Sequence, residues 1–163
     1  MYKFRVTWLD VGMGTLAILA GSVVIYLGDL LLGVNLEMFY GVSTFSPLWI
    51  VDLFFVPFVA GIVVSLIFGL GGKILAHLAP LPVRILSYYQ INNGPEPDFG
   101  VVLPLGYWFL VLILAMEFAA IGGVIGEILV KKTYGRTDKR LLHKRYQKSS
   151  EVSGQPTGKD VQQ

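Results

Sequence analysis

An acidic residue near the middle of a long apolar stretch is the first candidate for chemistry in this sequence. Glu117 lies within Val101–Val130, where Glu127 is the only other charged side chain. A hydrocarbon core about 30 Å thick requires ~20 apolar residues at 1.5 Å per residue, so this stretch is long enough to cross a membrane. A carboxylate near the bilayer centre costs ~3 kcal/mol, which predicts a bonding partner or a functional role. If its role is functional, Glu117 would relay protons, ligate a cation or form a hydrogen bond to a quinone-type ligand. If its role is structural, it would form a hydrogen bond to a neighbouring helix or subunit.

Two further carboxylates, Asp29 and Asp52, lie towards the connector between the first two apolar stretches, and Glu37 lies within that connector. Carboxylates gathered at one membrane face would bind a divalent cation or pass protons. Their spacing matches no fixed ligand pattern, and the alternative is that they lie close enough to the face to reach water. We therefore predict no metal site and take Asp29, Asp52 and Glu117 as the candidate buried polar residues.

The segment from Gly71 to Gly100 mixes basic and apolar residues, and two prolines, at positions 80 and 82, rule out one continuous helix through it. We predict an interfacial segment over 73–91, in which Lys73 and Arg84 extend to lipid head groups. Two roles are open for His77. A functional His77 would ligate a metal or carry protons, whereas a structural His77 would be a hydrogen-bonded surface residue.

The helices that would position these residues are predicted from the composition to lie in a membrane. The 163 residues are 54% hydrophobic and 15% charged, with a mean hydropathy of +0.64. The charged fraction is too small to cover a soluble globule of this length. We predict an all-α integral membrane protein, a small bundle of three transmembrane helices with four as the alternative. Spans at about 11–34, 47–70 and 101–130 form one transmembrane domain, 1–130, and 131–163 form a basic, polar C-terminal tail.

Each span carries small residues at helical spacing, which allow another helix backbone to approach closely. They predict helix packing on all three spans, within the chain or against other subunits. The predicted packing residues are Gly14, Ala17, Gly21, Gly28, Gly61, Ser65, Gly69, Ala115, Ala119, Gly122, Gly123 and Gly126.

Orientation is predicted from the basic residues, nine of thirteen of which lie at or beyond Lys131. Lysine and arginine are retained on the cytoplasmic side of a membrane, so the C-terminus is predicted to be cytoplasmic. Three crossings would then leave Lys3, Arg5, Lys73 and Arg84 on the outside. Four crossings would place both termini inside, so the basic residues conflict with the preferred span count.

No motif in the sequence specifies a reaction, and the absence of cysteine excludes disulfides and thiolate-held metal clusters from this chain. We expect no catalytic activity of its own and no cofactor in this chain, with lipid bound at its surface. The small-residue faces favour an accessory, non-catalytic subunit of a larger membrane complex, and we expect this complex to be an energy-converting or oxidising one. Its partners would be other membrane subunits and anionic lipid, the latter through the tail cluster of Lys139, Arg140, Lys144 and Arg145, and not nucleic acid. The alternatives are a homo-oligomeric ion or proton channel or carrier using Glu117, and a membrane-embedded enzyme acting on lipid or quinone.

Overall fold

The computed structural model describes the backbone of residues 8–95 and 100–153, and the side chains of residues 8, 11–95 and 100–133. Two compact units divide the chain, Met1–Val130 and Lys131–Gln163. Most of the chain is helical. In chain order the elements are α1 Trp8–Leu32, β1 Met38–Phe39, a 3-10 turn Gly41–Thr44, α2 Pro47–Phe68, α3 Gly72–Ala76, α4 Pro80–Asn93, β2 Val101–Val102 and α5 Leu105–Ser153.

Three helices are long and apolar enough to cross a membrane, over Val11–Leu32, Gly41–Phe68 and Leu105–Thr133. These helices are consistent with the predicted all-α membrane class. The second span illustrates the local rules: Pro47 opens α2, where its missing N–H is not needed, and the Ser46 hydroxyl caps the helix by accepting from the Trp49 amide. At its other end the positive φ angles of Gly69 and Gly71 allow the tight turn into α3.

Helices α3 and α4 together run along the bundle from one end to the other. Gly71 lies beside Glu127, where α2 ends, and Tyr88 lies beside Leu103, just before α5 begins. Between these points the contacts follow α5 in antiparallel order: Lys73 with Gly123, His77 with Glu117, and Tyr88 with Trp108. The first unit is therefore a bundle of four antiparallel columns, in which α3 and α4 form the third.

The two ends of this bundle are named here by the residues that mark them. At the Arg84 end, α1 finishes and α2 and α5 begin. At the Glu127 end, α2 finishes and α3 begins. The segment predicted to be interfacial, 73–91, packs along the other helices of this unit, with Ala76 and Ala79 fully buried in the core. The prolines at positions 80 and 82 are accommodated at the start of α4, which a short turn separates from the end of α3 at Ala76.

Glycines on the predicted small-residue faces bring the helices of this chain into backbone contact. A Cβ on Gly61 would overlap the carbonyl of Ala119, and one on Gly122 would overlap the carbonyl of Phe58, so α2 and α5 meet without intervening side chains. Gly21 of α1 likewise lies against Val64. These packing surfaces are used within the chain itself. The predicted packing role of Gly69 is corrected, because it caps the end of α2 and a Cβ there would meet no neighbouring atom.

A two-stranded antiparallel pair at the Arg84 end is a departure from the predicted all-helical fold. Met38 pairs with Val102, and Phe39 pairs with Val101. The amide of Leu103 also donates to the Glu37 carbonyl, 2.9 Å away. These bonds hold the α1–α2 connector against the start of α5 and thereby fix the position of Glu37.

The second unit, Lys131–Gln163, is helical through Ser153. The basic cluster that the sequence assigns to anionic lipid, from Lys139 to Arg145, lies outside the described side chains.

Candidate functional site: a buried arginine among three carboxylates

The guanidinium of Arg84 is buried at the Arg84 end of the bundle, with 1% of the side chain exposed. Helix α4 packs along α1 at this point, and the Arg84 side chain extends between α1 and α2 rather than outward. The prediction that Arg84 binds lipid head groups is therefore wrong. Lys73, the other head-group candidate, has an exposed side chain at the Glu127 end. The two residues thus lie at opposite ends of the bundle, so they do not form one binding site.

Three carboxylates from different parts of the chain face Arg84. One terminal nitrogen of the guanidinium, Nη2, donates to Asp29 of α1 over 2.7 Å and lies 3.8 Å from Asp52 of α2. The other terminal nitrogen, Nη1, donates to Glu37 over 3.3 Å. The sequence left open whether Asp29, Asp52 and Glu37 gather at one end of the spans, and the structure brings all three to Arg84. The sequence did not place Arg84 among them.

Burial makes this cluster electrostatically unusual. Desolvation raises the pKa of Glu37 above its ordinary value of 4.5, and the nearby positive charge of Arg84 only partly opposes this effect. The guanidinium of Arg84 lies within 4 Å of three carboxylates, which favour its charged form. The guanidinium therefore stays charged. One positive charge faces three acidic groups, which leaves an excess of two negative charges if all three are ionised.

Asp52 is the least satisfied member of the cluster. Its side chain is 0% exposed, and within the described part of the chain neither of its carboxylate oxygens has a hydrogen-bond donor. The Nε of Arg84 is also buried without an acceptor there. Unsatisfied polar atoms of this kind are uncommon in native proteins and require a physical explanation.

Glu117 lies elsewhere, near mid-length of the bundle and on its outside, with 62% of the side chain exposed. The prediction that it is buried is corrected for the single chain. Nε2 of His77 lies 4.0 Å from its carboxylate. Because Nδ1 of His77 is 3.1 Å from the carbonyl of Lys73, which can only accept, Nδ1 donates and Nε2 is the nitrogen that faces Glu117. The pair forms one polar patch on an otherwise apolar helix surface.

The sequence contains a signal for this outward position. Ala115 and Ala119 belong to the small-residue face of α5 that packs on α2, and Glu117 stands two residues from each. Two residues along an α-helix correspond to a rotation of ~200°, so Glu117 must lie opposite the packed face. The length of an apolar stretch indicates how deep a residue lies in the membrane, but it does not indicate which side of the helix the residue faces.

Glu127 has a structural role that sequence reasoning missed. Its carboxylate accepts from the amides of Gly71 and Lys73, at 2.9 and 3.1 Å, and so satisfies the first turn of α3. Glu127 also stands four residues before Lys131, a spacing that favours an ion pair along one helix face. The partner amides are more than fifty residues earlier in the chain, so no local pattern indicates this bond.

Comparison of the chain with models of protein families, with curated proteins and with solved structures gives no match.

Proposed function

We propose that this protein is an accessory, non-catalytic subunit of a larger membrane complex and that it contacts other membrane subunits through the patch formed by Glu117 and His77. The observation that carries the proposal is the position of Glu117. Its carboxylate faces outward near the middle of a 29-residue apolar span. Exposure of a carboxylate to lipid at that depth costs ~3 kcal/mol, and a partner helix that supplies a donor removes this cost.

The internal packing supports an accessory role over transport by a single copy. Backbone contacts at Gly61 and Gly122 close the space between α2 and α5. Alanines and valines fill the interior between α1, α2 and α3. A bundle packed in this way has little room for a path through one copy.

The proposal includes four membrane crossings, with the Glu127 end in the cytoplasm. The third crossing is formed by α3 and α4, which pack along α5 over its apolar part. Lys73 lies at the Glu127 end, and the chain continues from Val130 into a basic run. The other end carries the acidic residues that surround Arg84. This distribution agrees with the retention of basic residues on the cytoplasmic side and removes the conflict that three crossings create. Anionic lipid is the proposed ligand of the basic run.

Purification of the tagged full chain from its native membrane in mild detergent tests the subunit role. The wild-type chain should elute with other membrane proteins, well above the size expected for its own 18.0 kDa. The Glu117→Ala variant should lose these partners. The matched control is Leu16→Ala, which removes an exposed apolar side chain from α1. This variant should retain the partner proteins. A wild-type chain that elutes alone as a monodisperse monomer would contradict the proposal.

The same observation favours a second candidate, a homo-oligomeric ion or proton channel or carrier. A carboxylate on the outside of one copy can line a path only where several copies meet. In liposomes that contain this protein alone, the channel function predicts ion or proton flux that Glu117→Gln abolishes while the oligomer stays intact. The subunit function predicts no flux from the wild-type chain under these conditions.

A further inference from the structure

The carboxyl groups of Asp29 and Asp52 face each other at the Arg84 end, although they belong to different helices. One nitrogen of Arg84, Nη2, lies 2.7 Å from an Asp29 oxygen and 3.8 Å from an Asp52 oxygen, so both carboxyl groups face the same part of the guanidinium. Two ionised carboxylates repel in such positions, whereas a carboxylic acid can donate a hydrogen bond to a carboxylate. A proton on one of the two groups removes this repulsion and supplies a donor to the other.

The surrounding charges indicate which group holds the proton. Asp29 accepts from the Arg84 guanidinium over 2.7 Å, an interaction that favours its ionised form. Asp52 is 3.8 Å from the same guanidinium, beyond hydrogen-bond distance, and is completely buried. An O–H on Asp52 that donates to Asp29 gives Asp52 the partner that it otherwise lacks. With Asp52 neutral, the cluster has one positive charge and two negative charges.

The charged groups around the pair come from four parts of the chain. Helix α1 contributes Asp29, the α1–α2 connector contributes Glu37, α2 contributes Asp52, and α4 contributes Arg84. The described carboxylates of α5 lie further along the bundle, beside His77 and Gly71. A metal cation at the pair would be repelled by the guanidinium, which already lies against both aspartates. A proton, in contrast, neutralises one of the carboxylates and is held by its oxygen, so it needs no separate space beside the guanidinium.

We propose that Asp29 and Asp52 bind one exchangeable proton, carried by Asp52 and donated to Asp29, whose charge Arg84 balances. Loss of the proton leaves two charged aspartates, one on α1 and one on α2, that face a single guanidinium. The site therefore links the packing of these helices to the pH at the Arg84 end. It does not depend on Glu117 or on any partner subunit.

Infrared spectroscopy of the full chain in detergent tests the proposal, because a protonated carboxylic acid has its own carbonyl stretch, which shifts when H₂O is replaced by D₂O. The Glu117→Gln background removes the exposed membrane carboxyl from the spectrum. In that background we expect a band equivalent to one protonated carboxyl per chain at neutral pH, which disappears in a single titration step as the pH rises. Addition of Asp52→Asn should abolish the band, and addition of Glu37→Gln should leave it in place.

The outcomes separate the proposal from its alternatives. Absence of the band at every pH at which the Glu117→Gln protein is folded would overturn the proposal, as would its persistence in a folded Asp52→Asn protein. Replacement of choline by sodium at constant ionic strength should leave the band unchanged, and its loss would indicate a cation site instead. The titration of the Asp52-containing protein is informative even if Asp52→Asn does not fold. An amide at position 52 retains a donor towards Asp29, so we expect this variant to fold.

Discussion

Replacement of Arg84 by glutamine tests most directly whether the buried cluster holds the bundle together. The substitution removes a guanidinium that is 1% exposed and leaves acidic groups whose distances to it are 2.7, 3.3 and 3.8 Å. Removal of one partner of a buried ion pair costs ~3–5 kcal/mol, because water cannot replace the lost charge. We expect a loss of this size in the free energy of unfolding.

The assay is reversible unfolding of the full chain in mixed micelles, followed by tryptophan fluorescence, since Trp108 is buried in the bundle. Asp29→Asn should cost ~1.5–3 kcal/mol, the range for a hydrogen bond to a charged group. Glu37→Gln should cost less, because its bond to Arg84 is longer. The control is Lys73→Gln, at an exposed basic position, with an expected change within ~0.5 kcal/mol. The reasoning is refuted if Arg84→Gln costs no more than this control, which is the result expected of an arginine at lipid head groups.

Three further predictions concern packing, pH and topology. Gly61→Ala should destabilise the bundle by ~1–3 kcal/mol through overlap with α5, whereas Gly12→Ala, with open space around it, should be neutral or stabilising by up to ~1 kcal/mol in the same unfolding assay. Because burial raises the pKa of Glu37 above 4.5, the folded state binds more protons there than the unfolded state, so the stability contribution is complete below pH 4.5 and is lost as the pH rises through the higher folded pKa. Glu37→Gln should therefore reduce the fall in unfolding free energy above pH 4.5, and an unchanged slope would contradict this. The chain has no cysteine, so Lys73→Cys and Asn92→Cys introduce single labels, and an impermeant thiol reagent should reach them from opposite sides of the membrane; labelling from the same side would show that α3 and α4 do not cross.

Local residue patterns determined the long apolar helices. Long apolar stretches predict helices that cross a membrane, and Pro47 after Ser46 marks a helix start, because both properties belong to one segment. The faces that contain Gly61 and Gly122 were likewise predicted from spacing alone, since helical periodicity fixes which residues share a face.

The tertiary structure alone shows which partners these faces pack against. A stripe of small residues shows that a backbone can approach but does not identify the partner, and here the partners are helices of the same chain. The outward direction of Glu117 follows from that packing, because α5 turns its small residues towards α2 and so turns the carboxylate away.

The surroundings of Arg84 were decided entirely by the tertiary structure. Its bonded partners Asp29 and Glu37 are 55 and 47 residues away, and an arginine between prolines and apolar residues is equally compatible with a membrane surface. The excess of acidic residues at one end of the spans was the available signal, since a buried set of carboxylates requires a cation or protons. Which of these it receives depends on distances of a few ångströms between helices. Sequence spacing does not contain those distances, because they are set by the register in which the helices pack.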